Sequence, residues 1–176
     1  MAYLDASALI KRYSLESGTP FVNELFRRIP RRDCACFVIG IAEVISILVR
    51  KKNDGRLEKR LFSKTVAEFD VEFAEHEDVK VFSVNDSLVR SSTSLIIKHH
   101  INAVDAVMMR SVLDASRLLQ KHDRDLLFVT SDKRLARAMQ AEDVTVLDPE
   151  KDTLQNLREV LGSHYPSTPR KKETHG

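Results

Sequence analysis

The sequence predicts an α/β domain in three layers, with a central parallel sheet covered by helices on both faces. Three observations carry that prediction. Short apolar runs alternate with stretches of helical period. The runs are apolar at consecutive positions, as in strands buried on both faces. Acidic residues stand alone at or just after several of these runs, and in such sheets ligands gather at the carboxyl ends of the strands, near the switch in strand order.

Taken in order, Ala2 to Leu4 reads as a first buried strand, and Thr19 to Ile29 as a helix through Phe21, Val22, Leu25, Phe26 and Ile29. Pro30 and the charged residues 31–33 lead to a second strand, Cys34 to Ile39. Gly40 is expected to break that strand before a helix over Ile41 to Lys52, which Asn53-Asp54-Gly55 stops. A long polar-faced helix is expected over Arg56 to His76, and a third strand over Val79 to Val84. Asn85 to His99 is a helix with Asn85 or Asp86 as its cap, and Ala103 to Lys121 is another. Leu126 to Thr130 is the fourth strand, Asp132 to Ala141 a short helix, and Val144 to Leu147 the fifth strand. Pro149 is expected to open a last helix to about Leu161. Beyond it, turn and charge residues without periodicity suggest one domain over 1–162 and a mobile basic tail over 163–176.

With 176 residues, 43% of them apolar and 31% charged, the chain is long enough to bury one core without staples. No apolar run approaches the roughly 18 residues of a membrane span, and Met1-Ala-Tyr-Leu-Asp has no basic n-region, so a cytoplasmic protein without a membrane partner is expected. Cys34 and Cys36 are read as core packing on opposite faces of their strand. The net charge of +2 argues for no partner, yet residues 1–60 hold 12 Lys/Arg against 7 Asp/Glu. A basic patch near Lys11, Arg12, Arg50, Lys51 and Lys52, with Lys133 and Arg134 beside Asp132, is therefore a candidate track for a nucleic-acid backbone. The plainer reading is a set of solvated faces.

The chemistry lies in the acidic residues. Asp5, Glu43 and Asp105 each sit inside apolar sequence, and the i+4 neighbours Ile47 and Met109 offer the latter two no base. A buried carboxylate without a partner must shift its pKa, find a distant base or bind a cation. Asp132 stands where a strand hands over to a helix. Each has an ordinary explanation: Asp132 as a helix cap, Glu43 and Asp105 in bridges to a distant Arg, Asp5 as a turn residue. One shared site for Mg²⁺ or Mn²⁺ explains all four, since these hard cations take carboxylate and water oxygens and support phosphodiester hydrolysis. Ser7, Thr130 and Ser131 are expected to cap helices or to orient a carboxylate. His99-His100 reads as a helix end.

Four segments carry a family resemblance: Tyr3-Leu-Asp-Ala-Ser-Ala-Leu-Ile-Lys-Arg-Tyr13, Ala42-Glu43-Val44, Asn102-Ala-Val-Asp-Ala-Val107 and Val129-Thr-Ser-Asp-Lys-Arg-Leu135. Over about residues 2 to 149 the chain resembles the PIN-domain ribonucleases, most closely the VapC-type toxins of type II toxin-antitoxin pairs. The resemblance implies a Rossmann-like PIN-type fold and an acidic cluster of Asp5, Glu43, Asp105 and Asp132 that holds Mg²⁺ or Mn²⁺ for endonucleolytic cleavage of an RNA substrate. Ser7 and Ser131 would support the cluster. It also implies homodimers and inhibition by a small antitoxin protein. Two features depart from the pattern: Gly40 stands where members often have Ser or Thr, and the longer chain suits a PIN nuclease in RNA processing as well as a toxin. Two other functions stay open. One is a PIN-like RNA-binding or partner-binding module without turnover. The other is an aspartyl-phosphate phosphatase or receiver-like domain using Asp5, against which Ser7 stands where a phosphatase wants a second Asp.

Overall fold

The computed structural model describes residues 1–164, in which β1 (Ala2–Leu4), β2 (Cys34–Phe37), β3 (Lys80–Phe82), β4 (Leu127–Val129) and β5 (Thr145–Leu147) form one sheet. Every pairing is parallel and the order is β3-β2-β1-β4-β5. Strand order therefore reverses between β1 and β4, where Leu4 lies opposite Val129. The residues that leave the carboxyl ends of those two strands, Asp5 and Thr130 to Asp132, open directly onto the switch-point crevice.

Parallel strands need crossovers, and seven of the eight α-helices among the described residues lie in them: α1 (Ala6–Tyr13), α2 (Thr19–Arg28), α3 (Val38–Asn53), α4 (Lys59–Phe69), α5 (Asp86–His99), α6 (Ala103–Gln120) and α7 (Lys133–Gln140), while α8 (Leu154–His164) follows the last strand. The three central strands are buried at every position, as expected of runs without alternation. Their side chains divide between two cores. Leu4, Cys36 and Val129 pack with Leu9, Leu25, Leu48 and Leu157 of α1, α2, α3 and α8. On the other face Tyr3, Phe37 and Phe128 pack with Leu95, Met109, Val112 and Leu135 of α5, α6 and α7. Each such side chain contributes roughly 1.5–3 kcal/mol by burial. Among the described residues, no helix is long and apolar enough to cross a membrane.

The layered class is as the sequence predicts, with corrections in detail. Helix α1 has no counterpart in the sequence pattern, because its run Ala8-Leu9-Ile10 is too short and too apolar to show a period. Helix α3 begins at Val38 and takes in Gly40, where an added Cβ would meet nothing within 4 Å, so this glycine breaks nothing. The expected helix over Arg56 to His76 is shorter: α4 ends at Phe69 and a π-helical turn, Asp70–Ala74, follows. That turn sets Phe73 in the core while Glu72 pairs with Arg12 and Arg31. Pro149 does not open the last helix; a turn tied by Asp148 precedes α8. Helix α8 runs on to His164, into the segment expected as tail, and residues 165–176 lie outside the described region. Cys34 and Cys36 share one face, contrary to expectation, because residues two apart on a strand point the same way.

Candidate active site

Asp5 ends β1 and caps α1, with extended backbone angles (φ −78°, ψ 156°) and its N–H donated to Val129 O at 3.0 Å across the switch point. It is only 7% exposed. One carboxylate oxygen, Oδ2, accepts from Ser7 Oγ at 2.5 Å, Ser7 N at 3.3 Å and Thr130 Oγ1 at 2.9 Å. Thr130 Oγ1 in turn accepts from Asp132 N at 3.0 Å, and Ser7 Oγ accepts from Ser131 N at 2.9 Å. The two hydroxyls thus lace the end of β1 to the end of β4 and hold Asp5 in one orientation. Of the supporting residues, Ser7 and Thr130 orient Asp5, while the caps of α1 and α7 are Asp5 and Asp132 themselves. The Ser131 side chain does neither, since its buried Oγ has no hydrogen-bond partner among the described residues.

Asp132 is the exposed N-cap of α7, its Oδ1 accepting from Arg134 N at 2.8 Å and Leu135 N at 2.9 Å, so the capping reading holds. Asp105 enters from the first turn of α6, as expected. Its N–H is donated to Asn102 Oδ1 at 2.9 Å, and Asn102 Nδ2 is donated back to Asp105 Oδ2 at 2.7 Å. Asn102 escaped the sequence reading, though Asn three residues before Asp is a capping signature. Glu43 lies one turn deeper in α3 than expected, because that helix starts at Val38. Ser46, Ile47 and Arg50 follow it at helical spacing on the same face.

All four carboxylates line one cleft of about 340 Å³, with Ala6, Ser7, Ser46, Ile47, Arg50 and Leu135. None of the four forms a salt bridge among the described residues, so the distant-Arg reading of Glu43 and Asp105 does not hold. They feel one another instead. Burial pushes the Asp5 carboxyl up against the pull of the Ser7 and Thr130 bonds. Burial, then the charges of Asp5 and Asp105, raises Glu43. Burial, then Asp132 and Asp5, raises Asp105 to about 6. Carboxylates that resist ionisation together are those a cation would relieve.

The donor set fits a hard divalent cation in kind, being all oxygen and open to solvent. As the side chains stand, no group of three or more His, Cys, Asp or Glu among the described residues is drawn together as a ready ligand cage. Those two facts agree for Mg²⁺, which keeps several waters and needs only one or two carboxylates.

Much of the expected basic track is paired within the fold. Lys11 is buried between Glu16 (3.1 Å) and Glu150 (2.6 Å), and Lys51 is buried against Glu16. Arg12 is bound to Glu72 and Asn23, and Lys52 lies over the Phe62 ring at 4.4 Å. Lys133 faces a separate hollow with Asp148 and Asp152. Arg50, in the cleft wall, and Arg134, whose charge acts on Asp105, stand at the four-carboxylate cleft, and Lys11, Arg50 and Lys51 line an adjoining hollow with Ser7, Ser131 and Asp132. The first of these was legible because it stands seven residues after Glu43 on one helix.

The sequence matches no family model, and no curated protein matches it. The fold does find solved counterparts. PAE2754 from Pyrobaculum aerophilum is 17% identical with a TM-score of 0.60, over 92% of this chain and 95% of that one. FitAcB from Neisseria gonorrhoeae is 15% identical with a TM-score of 0.56, over 86% and 100%. A toxin-antitoxin complex from Klebsiella pneumoniae contains a chain 14% identical with a TM-score of 0.50, over 85% and 98%. The chain has a PIN-type fold. At these identities the likeness speaks of the fold, and the chemistry has to be argued from the cleft.

Proposed function

We propose that the chain is a divalent-cation-dependent endoribonuclease of PIN type, acting as the toxin of a toxin-antitoxin pair. One observation carries the catalytic part: four carboxylates from four separate segments line a single switch-point cleft, and none of them forms a salt bridge among the described residues. Asp5 and Asp105 would hold Mg²⁺ or Mn²⁺, with Asp132 and Glu43 completing the set. When bound, the cation would offset their mutual repulsion and polarise a phosphoryl oxygen. The chain's own groups do the rest. Ser7 and Thr130 keep Asp5 aimed, and Asn102 keeps Asp105 aimed. Glu43, with its carboxyl pushed up, is placed to take the proton of an attacking water. Arg50 stands where it would hold the phosphate whose P–O bond breaks as the water oxygen bonds to phosphorus. The buried Asp5, with Oδ2 already occupied by hydroxyls, is poorly presented as a phosphate-accepting nucleophile.

The toxin part rests on the likeness in fold to a chain of a toxin-antitoxin complex. With it comes a small antitoxin partner, and the homodimeric state implied by the family resemblance is part of the same proposal. A second reading, a binding module without turnover, is favoured by the lack of a compact ligand cage among the described residues. The deciding experiment incubates purified protein with cellular RNA in Mg²⁺, Mn²⁺ or chelator, beside an identically prepared Asp5→Asn. Cation-dependent cutting lost in the variant is expected. RNA and cation binding without cutting would establish the second reading.

A further inference from the structure

Next to the acidic cleft lies a second hollow of about 380 Å³, lined by Lys98, His99, His100, Arg134, Arg137 and Ala138. The end of α5 contributes the first three and α7 the others. Among the described residues one carboxylate forms ion pairs with this group: Glu142 accepts from Lys98 at 2.5 Å and contacts His99 at 2.8 Å. His100, Arg134 and Arg137 have no side-chain partner of that kind among the described residues.

That is unusual within this chain. Eleven of the described arginines make carboxylate ion pairs. Those that do not are Arg32, Arg50, Arg134 and Arg137; the last three stand in the acidic cleft or in the hollow beside it, and Arg137 also borders the hollow of Asp148 and Asp152 without forming an ion pair to either among the described residues. Cations gathered with fewer ion-paired carboxylates than their number repel one another, an arrangement that a polyanion would relieve. His100 adds a backbone sign. It caps α5 in the left-handed region (φ 53°), where glycine sits without strain and a side chain costs on the order of 1 kcal/mol, yet an imidazole is carried there into the hollow. Arg134 ties the two sites together, since it lines the hollow and its charge acts on Asp105.

We propose that this hollow is a flanking subsite for single-stranded RNA, in which His100, Arg134 and Arg137 hold a backbone phosphate neighbouring the one placed in the acidic cleft. Guanidinium forks suit phosphate oxygens, and both guanidinium and imidazole stack on splayed bases. Arg50, on the α3 wall, would hold the strand from the other side. This subsite rests on the nuclease reading for its polymer, but binding tests it without turnover.

The probe is a fluorescent single-stranded oligoribonucleotide, titrated in chelator over a range of salt with wild type, Arg137→Glu, His100→Asn and a control, Arg60→Glu, on exposed α4. Asparagine tolerates the left-handed backbone, and melting temperatures verify folding of every variant. Expected is several-fold weaker binding for Arg137→Glu and His100→Asn, and a log–log salt slope shallower by about 0.7 per lost contact. The control should match wild type. Wild-type affinity and slope in both variants would overturn the subsite and leave the nuclease reading standing. No RNA binding by wild type would overturn the subsite as well. If instead polyglutamate binds with dependence on Arg137 and RNA does not, the hollow docks an acidic peptide and the proposal falls. RNA binding that depends on Arg137, found together with no cutting under any cation, would support the subsite and sink the nuclease reading.

Discussion

Replacing Asp105 by Asn should make the protein more stable at neutral pH while removing its activity. The Asp105 carboxyl is raised from an ordinary 3.8 to about 6 by burial and by the charges of Asp132 and Asp5. An acid whose folded pKa is raised costs nothing below about pH 4, where it is protonated in both states. Its penalty grows between the two pKa values and is complete above pH 6. At 1.36 kcal/mol per pH unit the ceiling is about 3 kcal/mol. Asp105 is only half-buried, so solvent screening reduces this to about 1.5 kcal/mol. Asn also forgoes a negative charge in the first turn of α6, a loss of about 0.5 kcal/mol. It keeps an oxygen for the Asn102 bond. The net expectation is a gain of about 1 kcal/mol at pH 8, or roughly 2–4 °C in Tm for a chain of this size. Urea unfolding of both proteins at pH 4 and pH 8 would measure it. A gain of the same size at pH 4, or no gain at pH 8, would refute the electrostatic account of the cleft.

Three further outcomes are expected. Mg²⁺ or Mn²⁺ at about 100 times its Kd should stabilise wild type by about 2.7 kcal/mol, and Asp5→Asn should lose that protection together with RNA cleavage; calorimetry showing equal binding by the variant would remove Asp5 from the cation site. Glu16→Gln should lower stability by about 2 kcal/mol, since Lys51 then keeps a buried ammonium without its carboxylate partner. Burial works to raise the Glu16 carboxyl, but the hydrogen bonds from Lys51 and Lys11 outweigh it and hold it below 4.5. This stabilisation is therefore present above pH 4.5 and lost as pH falls further, and a pH-independent difference between the two proteins would contradict it. Gly18→Ala should cost about 2 kcal/mol by thermal unfolding, because φ is +86° and an added Cβ would lie 2.8 Å from Pro149 O; an unchanged Tm would show that the loop between α1 and α2 can yield.

Strands apolar at consecutive positions could be found from the sequence because burial on both faces is written into each residue. Asp5, Glu43 and Asp105 could be found for the converse reason, as charges where local sequence offers no partner. The pairing of the lysine candidates could not be read from the sequence. Lys11 and Lys51 look like free surface cations; Glu16 is five residues from Lys11, but nothing in the sequence reveals that it also takes Lys51 or that Glu150 closes over Lys11 from the far edge of the sheet. Their role is set by contacts up to 139 residues apart. The hollow was missed likewise: His99-His100 reads as a helix end until α5 is laid beside α7.

By itself, then, the sequence determined the α/β class, the central strands and the identity of the acidic residues, because hydrophobic period and isolated charge are local properties. Only the tertiary structure decided that β1 and β4 adjoin at the switch point, so that Ser7 and Thr130 meet on Asp5 and four carboxylates face one another across a single cleft. It also decided which cations are spent inside the fold and which are left facing outward. Coulomb energy depends on distance in space and on burial, and neither is written in the order of residues.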